Sequence, residues 1–404
     1  MTTLAGYTFL TAAGDTVASF DAQLAAMDTH GRAANWAATL AAYEGVEPTS
    51  GISIASLLDG TSQQFPHAFA TTTYWGSNAS ADEFVRAAIG GTGDAAGWDD
   101  VSRREMLTKG AGYQVVRQAI FGRLRSGIEK CSTLGGNESA VYDWEAAYAL
   151  HAGSLEGSDG TGSGKSMYAL ADKRCPQFDT CTTGSHPARS NVLALNAWTV
   201  GVGAIRSGDC FGALSASQTI EAQLTVPLVQ GSLREAYEVD PNGGAGTADG
   251  VVEVAEGWAF LAAILPEIAL CNASAASFIR TNLALSLDGA NGAWVSSGFR
   301  AVKAAFEAEY PCLGITCADV GGMLDNGQPI AGFEPCTDAP AASHDDDSLS
   351  TSVVVAMVVG GLALLAGGVM LGVGISTCIK GSKPPRETTI TMATSTSVSA
   401  GNGV

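Results

Sequence analysis

The sequence predicts a mainly α fold: a two-repeat, bilobal helical ectodomain with disulfides, followed by one C-terminal transmembrane helix. Three observations carry that expectation. Apolar residues recur at helical spacing while strand-like alternation is scarce. Two helix pairs answer each other at nearly one offset. One late segment is long, apolar and uncharged.

The helices come first. "FDAQLAAMDTHGRAANWAATLAAYEG" (20–45) is alanine-rich with apolar residues at helical spacing. "DDVSRREMLTKGAGYQVVRQAIFGRLRSGIEK" (99–130) begins with acids and ends with bases, matching the helix dipole at both ends. "YDWEAAYALHAGSLEG" and "VVEVAEGWAFLAAILPEIAL" are two further apolar helices, with glycine-rich connectors at 157–164 and 241–250. Gln118 in "VVRQAIFGRL" and Gln230 in "PLVQGSLREA" lie 112 positions apart, and Glu145 and Glu256 lie 111 apart. Such a pattern predicts a duplicated unit, placed at 29–200 and 201–336.

The uncharged segment, residues 352–376, is 25 residues long, enough to cross a bilayer core of about 30 Å at about 1.5 Å per residue. "SHDDDS" lies in an acidic stalk (337–351) before it, and Lys380, Lys383 and Arg386 follow it. The positive-inside rule then puts residues 377–404 in the cytoplasm and the bulk outside, a single-pass type I plasma-membrane protein. The net charge of −19 argues against a nucleic-acid partner. Eight cysteines precede the span: Cys131, Cys175, Cys181, Cys210, Cys271, Cys312, Cys317 and Cys336. Their even number suits four disulfides in an oxidising compartment, with connectivity left open. Asn78, Asn137 and Asn272 open glycosylation sequons. "MTTLAGYTFL" has neither a basic nor a sustained apolar stretch, so residues 1–28 are expected to be an N-terminal segment whose secretory leader is missing.

"GSDGTGSGKS" (157–166) imitates the end of a phosphate loop, but Asp159 stands where its first glycine belongs. It also follows a helix rather than a strand, and reads as a connector. No G-x-S-x-G or H-E-x-x-H framework is present and the five histidines are scattered, so the chain is not expected to be an enzyme.

Hard cations favour carboxylate and phenolate oxygen. Tyr142, Asp143, Glu145 and Tyr148 fall within two turns of one helix, with Glu145 and Tyr148 at i, i+3. Tyr168 and Asp172 follow at i, i+4, and Glu256 occupies the place of Glu145 in the second repeat. Seven basic residues crowd positions 103–130, and Arg117 and Arg123 among them are the candidates for holding an anion or pairing with Glu145 and Glu256.

"VYDWEAAYALHAGSLEG", the Ser/Gly loop and "YALADKRCPQFDTC" resemble the low-iron-inducible periplasmic protein family of algae, which includes membrane-tethered phytotransferrins. "AEGWAFLAAILP" and "REMLTKGAGYQVV" resemble further segments of that family, and the likeness covers roughly residues 30–320. In that family a tyrosine commonly stands where this chain has His151. The resemblance implies capture of ferric iron (Fe3+) at the cell surface, with carbonate as a synergistic anion, ahead of uptake through surface reductase or endocytic partners. A non-metal-binding surface structural or adhesion protein is the alternative.

Overall fold

The computed structural model describes residues 2–48, 50–58, 66–134, 138–241, 244–245, 250–284 and 294–338. The expected membrane span, the cytoplasmic tail, nearly all of the stalk and Asn137 lie outside them. The described residues form one compact unit.

Helices dominate, as the periodicity predicts. A two-stranded hairpin opens the chain, β1 (Thr3–Leu4) with β2 (Tyr7–Thr8). There follow α1 (Ala13–Thr16), α2 (Phe20–Arg32), α3 (Trp36–Glu44), α4 (Pro66–Trp75), α5 (Ser80–Gly90) and α6 (Asp100–Lys109). A π-helical turn, Gly110–Val115, joins α6 to α7 (Val116–Leu134). Next come α8 (Glu138–Ala152), α9 (Met167–Arg174), α10 (Arg189–Ser207) and α11 (Cys210–Val239). The second half continues with α12 (Gly250–Ala262), α13 (Leu265–Cys271), α14 (Ala273–Leu283), α15 (Phe299–Leu313) and α16 (Cys317–Val320). A second hairpin, β3 (Leu324–Asp325) with β4 (Gln328–Pro329), closes the unit.

The matched segments form two packed helix pairs, α7 on α8 and α11 on α12, with α10 against α11. Their cores run together into one apolar cluster, from Phe9 and Phe20 through Trp144 and Trp198 to Phe260 and Phe306. Within the N-terminal segment 1–28, Phe9 and Phe20 are buried, and the loop amides of Ala5 and Gly6 donate to the carbonyls of Gly157 and Ser158. The first hairpin is thus tied to the glycine-rich connector that imitates a phosphate loop. In that connector a Cβ on Gly164 would lie 2.1 Å from Glu156 Oε1, so the glycine serves close packing over a buried acid.

The eight cysteines among the described residues are all paired: Cys131–Cys210, Cys175–Cys181, Cys271–Cys312 and Cys317–Cys336. Val251–Cys271, 21 residues of mean hydropathy 1.6, is long and apolar enough to cross a membrane, yet most of it is buried inside the fold. Burial of that kind is what a core element shows.

Candidate functional site

Four of the candidate iron ligands lie on α8, where each meets a partner from the protein itself. Glu145, fully buried, accepts from Leu10 N at 2.7 Å, Thr11 N at 2.8 Å, Thr11 Oγ1 at 2.6 Å and the Tyr7 hydroxyl at 3.2 Å. Tyr148 shares that face, stacks on Tyr7 at 4.5 Å and donates its hydroxyl to Ala5 O at 2.9 Å. Asp143 is held by Arg123 at 3.0 Å, Ser126 at 2.5 Å and Lys130. Tyr142 pairs with the Thr16 hydroxyl at 3.0 Å. Glu145 and Tyr148 therefore do share a face, but it anchors the N-terminal hairpin.

On α9, Asp172 takes His186 Nδ1, Ala188 N at 2.7 Å and Asn191 Nδ2 at 2.8 Å. Tyr168 packs under Gly160, whose Cβ would come within 2.4 Å of its hydroxyl. Burial, then Asp172 and Glu156, raise this phenol well above its ordinary range. Arg117 and Arg123 do not meet Glu145 or Glu256. Arg117 is buried and donates to Glu267 at 2.9 Å, Ala263 O at 3.0 Å and Thr225 at 2.8 Å, while Arg123 serves Asp143. The physical reason is helix geometry: α7 carries them on faces turned to α13 and α8. Asn78 is exposed, whereas Asn272 caps α14 and donates to Glu309 at 3.0 Å.

Glu256 is different. It lies on α12 against α6, where Lys109 approaches it at 3.0 Å and Arg174 of α9 at 3.9 Å. Lys109 also pairs with Glu105, and Arg174 with Glu235 of α11 at 3.1 Å. Burial works to raise the Glu256 carboxyl, but Lys109, Arg174 and Lys173 outweigh it and hold the group ionised below the usual range. Glu235 moves the other way, since burial outweighs Arg174 and Glu256 adds repulsion. The two acids are driven apart by one set of neighbours, a pattern that concentrates at functional sites.

Local sequence builds this centre. Asp99 caps α6 by accepting from Ser102 N at 2.8 Å, and the helix delivers Lys109 at its end. There the ladder widens into the π turn, in which Cβ atoms on Gly110 and Gly112 would meet Phe84 at 2.7 Å and Lys165 O at 2.9 Å. Such turns are frequent at functional sites. It carries Tyr113, which stacks on Phe260 at 5.8 Å, while the Arg174 guanidinium lies 4.9 Å from the same ring. Burial raises the Tyr113 phenol, and Lys109 and Arg174 oppose that rise. Gly257 lets α12 approach α11: its Cβ would stand 3.0 Å from that of Glu235. Arg174 Nε is buried with no hydrogen-bond partner, a spare donor beside an ionised carboxylate.

The arrangement supplies the ionised Glu256 carboxylate, the Tyr113 phenol, and two basic groups, Lys109 and Arg174, that Glu256 shares with Glu105 and Glu235. The residues missed from sequence are Tyr113, Glu105, Lys109, Arg174 and Glu235. The glycine pair flanking Ala111 inside a helical pattern was the available signal. Among the described residues no group of three or more His, Cys, Asp or Glu side chains is placed to hold a metal ion. Comparison with known proteins adds no relative: no family model fits this chain, and no curated protein or solved structure matches it.

Proposed function

We propose that the protein captures ferric iron at the cell surface for high-affinity uptake, with carbonate as the synergistic anion, and that the Glu256 centre is where it does so. The observation that carries this reading is the buried Arg174 Nε without a partner, next to a Glu256 kept ionised by Lys109 and Arg174. A bidentate anion on Arg174 would bring two hard oxygens, and Glu256 and Tyr113 would bring two more. That set needs no cluster of three acids. The resemblance of "REMLTKGAGYQVV", "YALADKRC" and "AEGWAFLAAILP" to the algal family supports it, because Lys109, Tyr113, Arg174 and Glu256 all lie in those segments. In this reading the protein is a binding protein rather than an enzyme, a duplicated two-lobed ectodomain held by a type I span at 352–376.

The test is a titration of the full-length protein with ferric iron, with and without bicarbonate, followed in the visible spectrum. Saturable binding that needs bicarbonate, with a phenolate-to-iron band lost in Tyr113→Phe and tight binding lost in Glu256→Gln, is the expected result. Absence of bicarbonate-dependent binding overturns it.

A second reading, a surface structural or adhesion protein without metal, is favoured by a specific observation. Glu145, Asp143 and Asp172 each spend their oxygens on protein donors. It predicts no iron binding in either buffer.

A further inference from the structure

Away from the Glu256 centre, three aromatic rings surround a cation that belongs to the chain itself. Tyr74 and Trp75 end α4, Trp258 lies on α12 and Arg280 on α14. The Arg280 guanidinium carbon stands 5.9 Å from the Tyr74 ring, 5.4 Å from Trp75 and 5.8 Å from Trp258. The rings meet edge to face, Tyr74 with Trp75 at 4.7 Å and 88°, Trp75 with Trp258 at 6.0 Å and 86°. They form the walls of a box rather than a stack. Asp94 accepts from Trp258 Nε1 at 3.2 Å, which fixes that wall and sets a negative charge behind it.

Arg280 is held differently from Arg117, Arg174 and Arg103. Arg117 and Arg174 each pair with a buried or half-buried glutamate. Arg103 stacks on Trp36 at 3.9 Å but also pairs with Asp100 at 3.1 Å and donates to Ala88 O. Among the described residues Arg280 has no carboxylate within ion-pair distance, and its polar contact is a long 3.5 Å donation to the Tyr74 hydroxyl. It is exposed, so its stem has solvent to swing into. The rings provide most of the hold, and they attract any cation of that size through their faces.

We infer that the Tyr74–Trp75–Trp258 box is a binding site for an organic cation of the quaternary or N-methylated ammonium class, with Arg280 as a resident occupant that such a ligand displaces. A methylated ammonium fits because it gives up little hydration on entering the rings, whereas a primary ammonium gives up much more. The net charge of −19 favours cations over anions throughout the molecule's surroundings.

The experiment titrates tetramethylammonium and choline against the full-length protein and its Arg280→Ala and Arg280→Gln variants, reading tryptophan emission. The neutral choline isostere 3,3-dimethylbutanol is the control for apolar filling. The wild type should bind the cations in the millimolar range, and both variants about tenfold more tightly, because the internal competitor is gone. Trp75→Ala in the Arg280→Gln background should abolish the effect. Arg280→Gln keeps a long polar side chain, so it remains readable if the alanine variant does not fold. No saturable response in a folded Arg280→Gln protein overturns the proposal. Equal affinity in wild type and variants, or equal binding of the neutral isostere, overturns it too. None of these outcomes depends on iron.

Discussion

At the scale of single residues, His151 and Glu256 show how the neighbours of a buried group decide whether it keeps its charge. His151 is buried among Trp198, Tyr148 and Tyr168, and burial takes it from 6.5 down to about 3, against a smaller opposing effect of Asn191. The unfolded chain therefore binds a proton that the folded chain refuses. Stability is complete above about pH 6.5 and falls as the pH drops from there towards about 3, by about 1.4 kcal/mol per pH unit. His151→Phe should remove that component of the acid sensitivity, and urea unfolding at pH 7 and pH 5 measures it. An unchanged gap between the two pH values would refute the assignment. Glu256 has two basic partners, so burial there is survivable only while the charge stays. Glu256→Gln should cost about 3–5 kcal/mol in urea unfolding, because Lys109 and Arg174 then lose a shared counter-charge.

At the scale of elements, the many glycines divide into those that bring helices together and those that do not. A Cβ on Gly201 of α10 would lie 1.9 Å from Trp144 Cζ2 of α8, whereas one on Gly203, two residues on, would meet nothing within 4 Å. Gly201→Ala should therefore lower stability by about 1–3 kcal/mol or more, since a tightly packed interior resists an inserted methyl. Gly203→Ala should be neutral or stabilising by up to about 1 kcal/mol, because alanine restricts the unfolded chain and favours the helix. Thermal unfolding of the pair decides it: equal effects would mean that α8 and α10 do not touch as described.

At the scale of the whole molecule, the disulfides differ in how much chain they restrain. Cys131–Cys210 closes 79 residues and joins the start of α11 to α7, while Cys175–Cys181 closes only 6. Loop entropy assigns the long closure about 4.5 kcal/mol and the short one about 2 kcal/mol. Replacing each pair by serine should reproduce that order in denaturant midpoints, and the reverse order would place the main restraint elsewhere.

Helical character and the even cysteine count were legible in the sequence, because each depends on local period or on number. Glu256 was legible as an acid in a matched segment. Its partners were not, because Lys109, Arg174 and Glu235 come from three other helices and no spacing along the chain encodes that meeting. Glu145 appeared equivalent by offset and proved to hold down the N-terminal hairpin through Leu10 and Thr11. Sequence by itself determined that the chain is mainly helical and which residues are oxygen donors or cations, since propensity and side-chain chemistry travel with the residue. Tertiary structure alone decided which donors were spent on the protein's own amides and which kept a charge beside a guanidinium whose Nε has no partner, because desolvation and partner count exist only once the helices have packed.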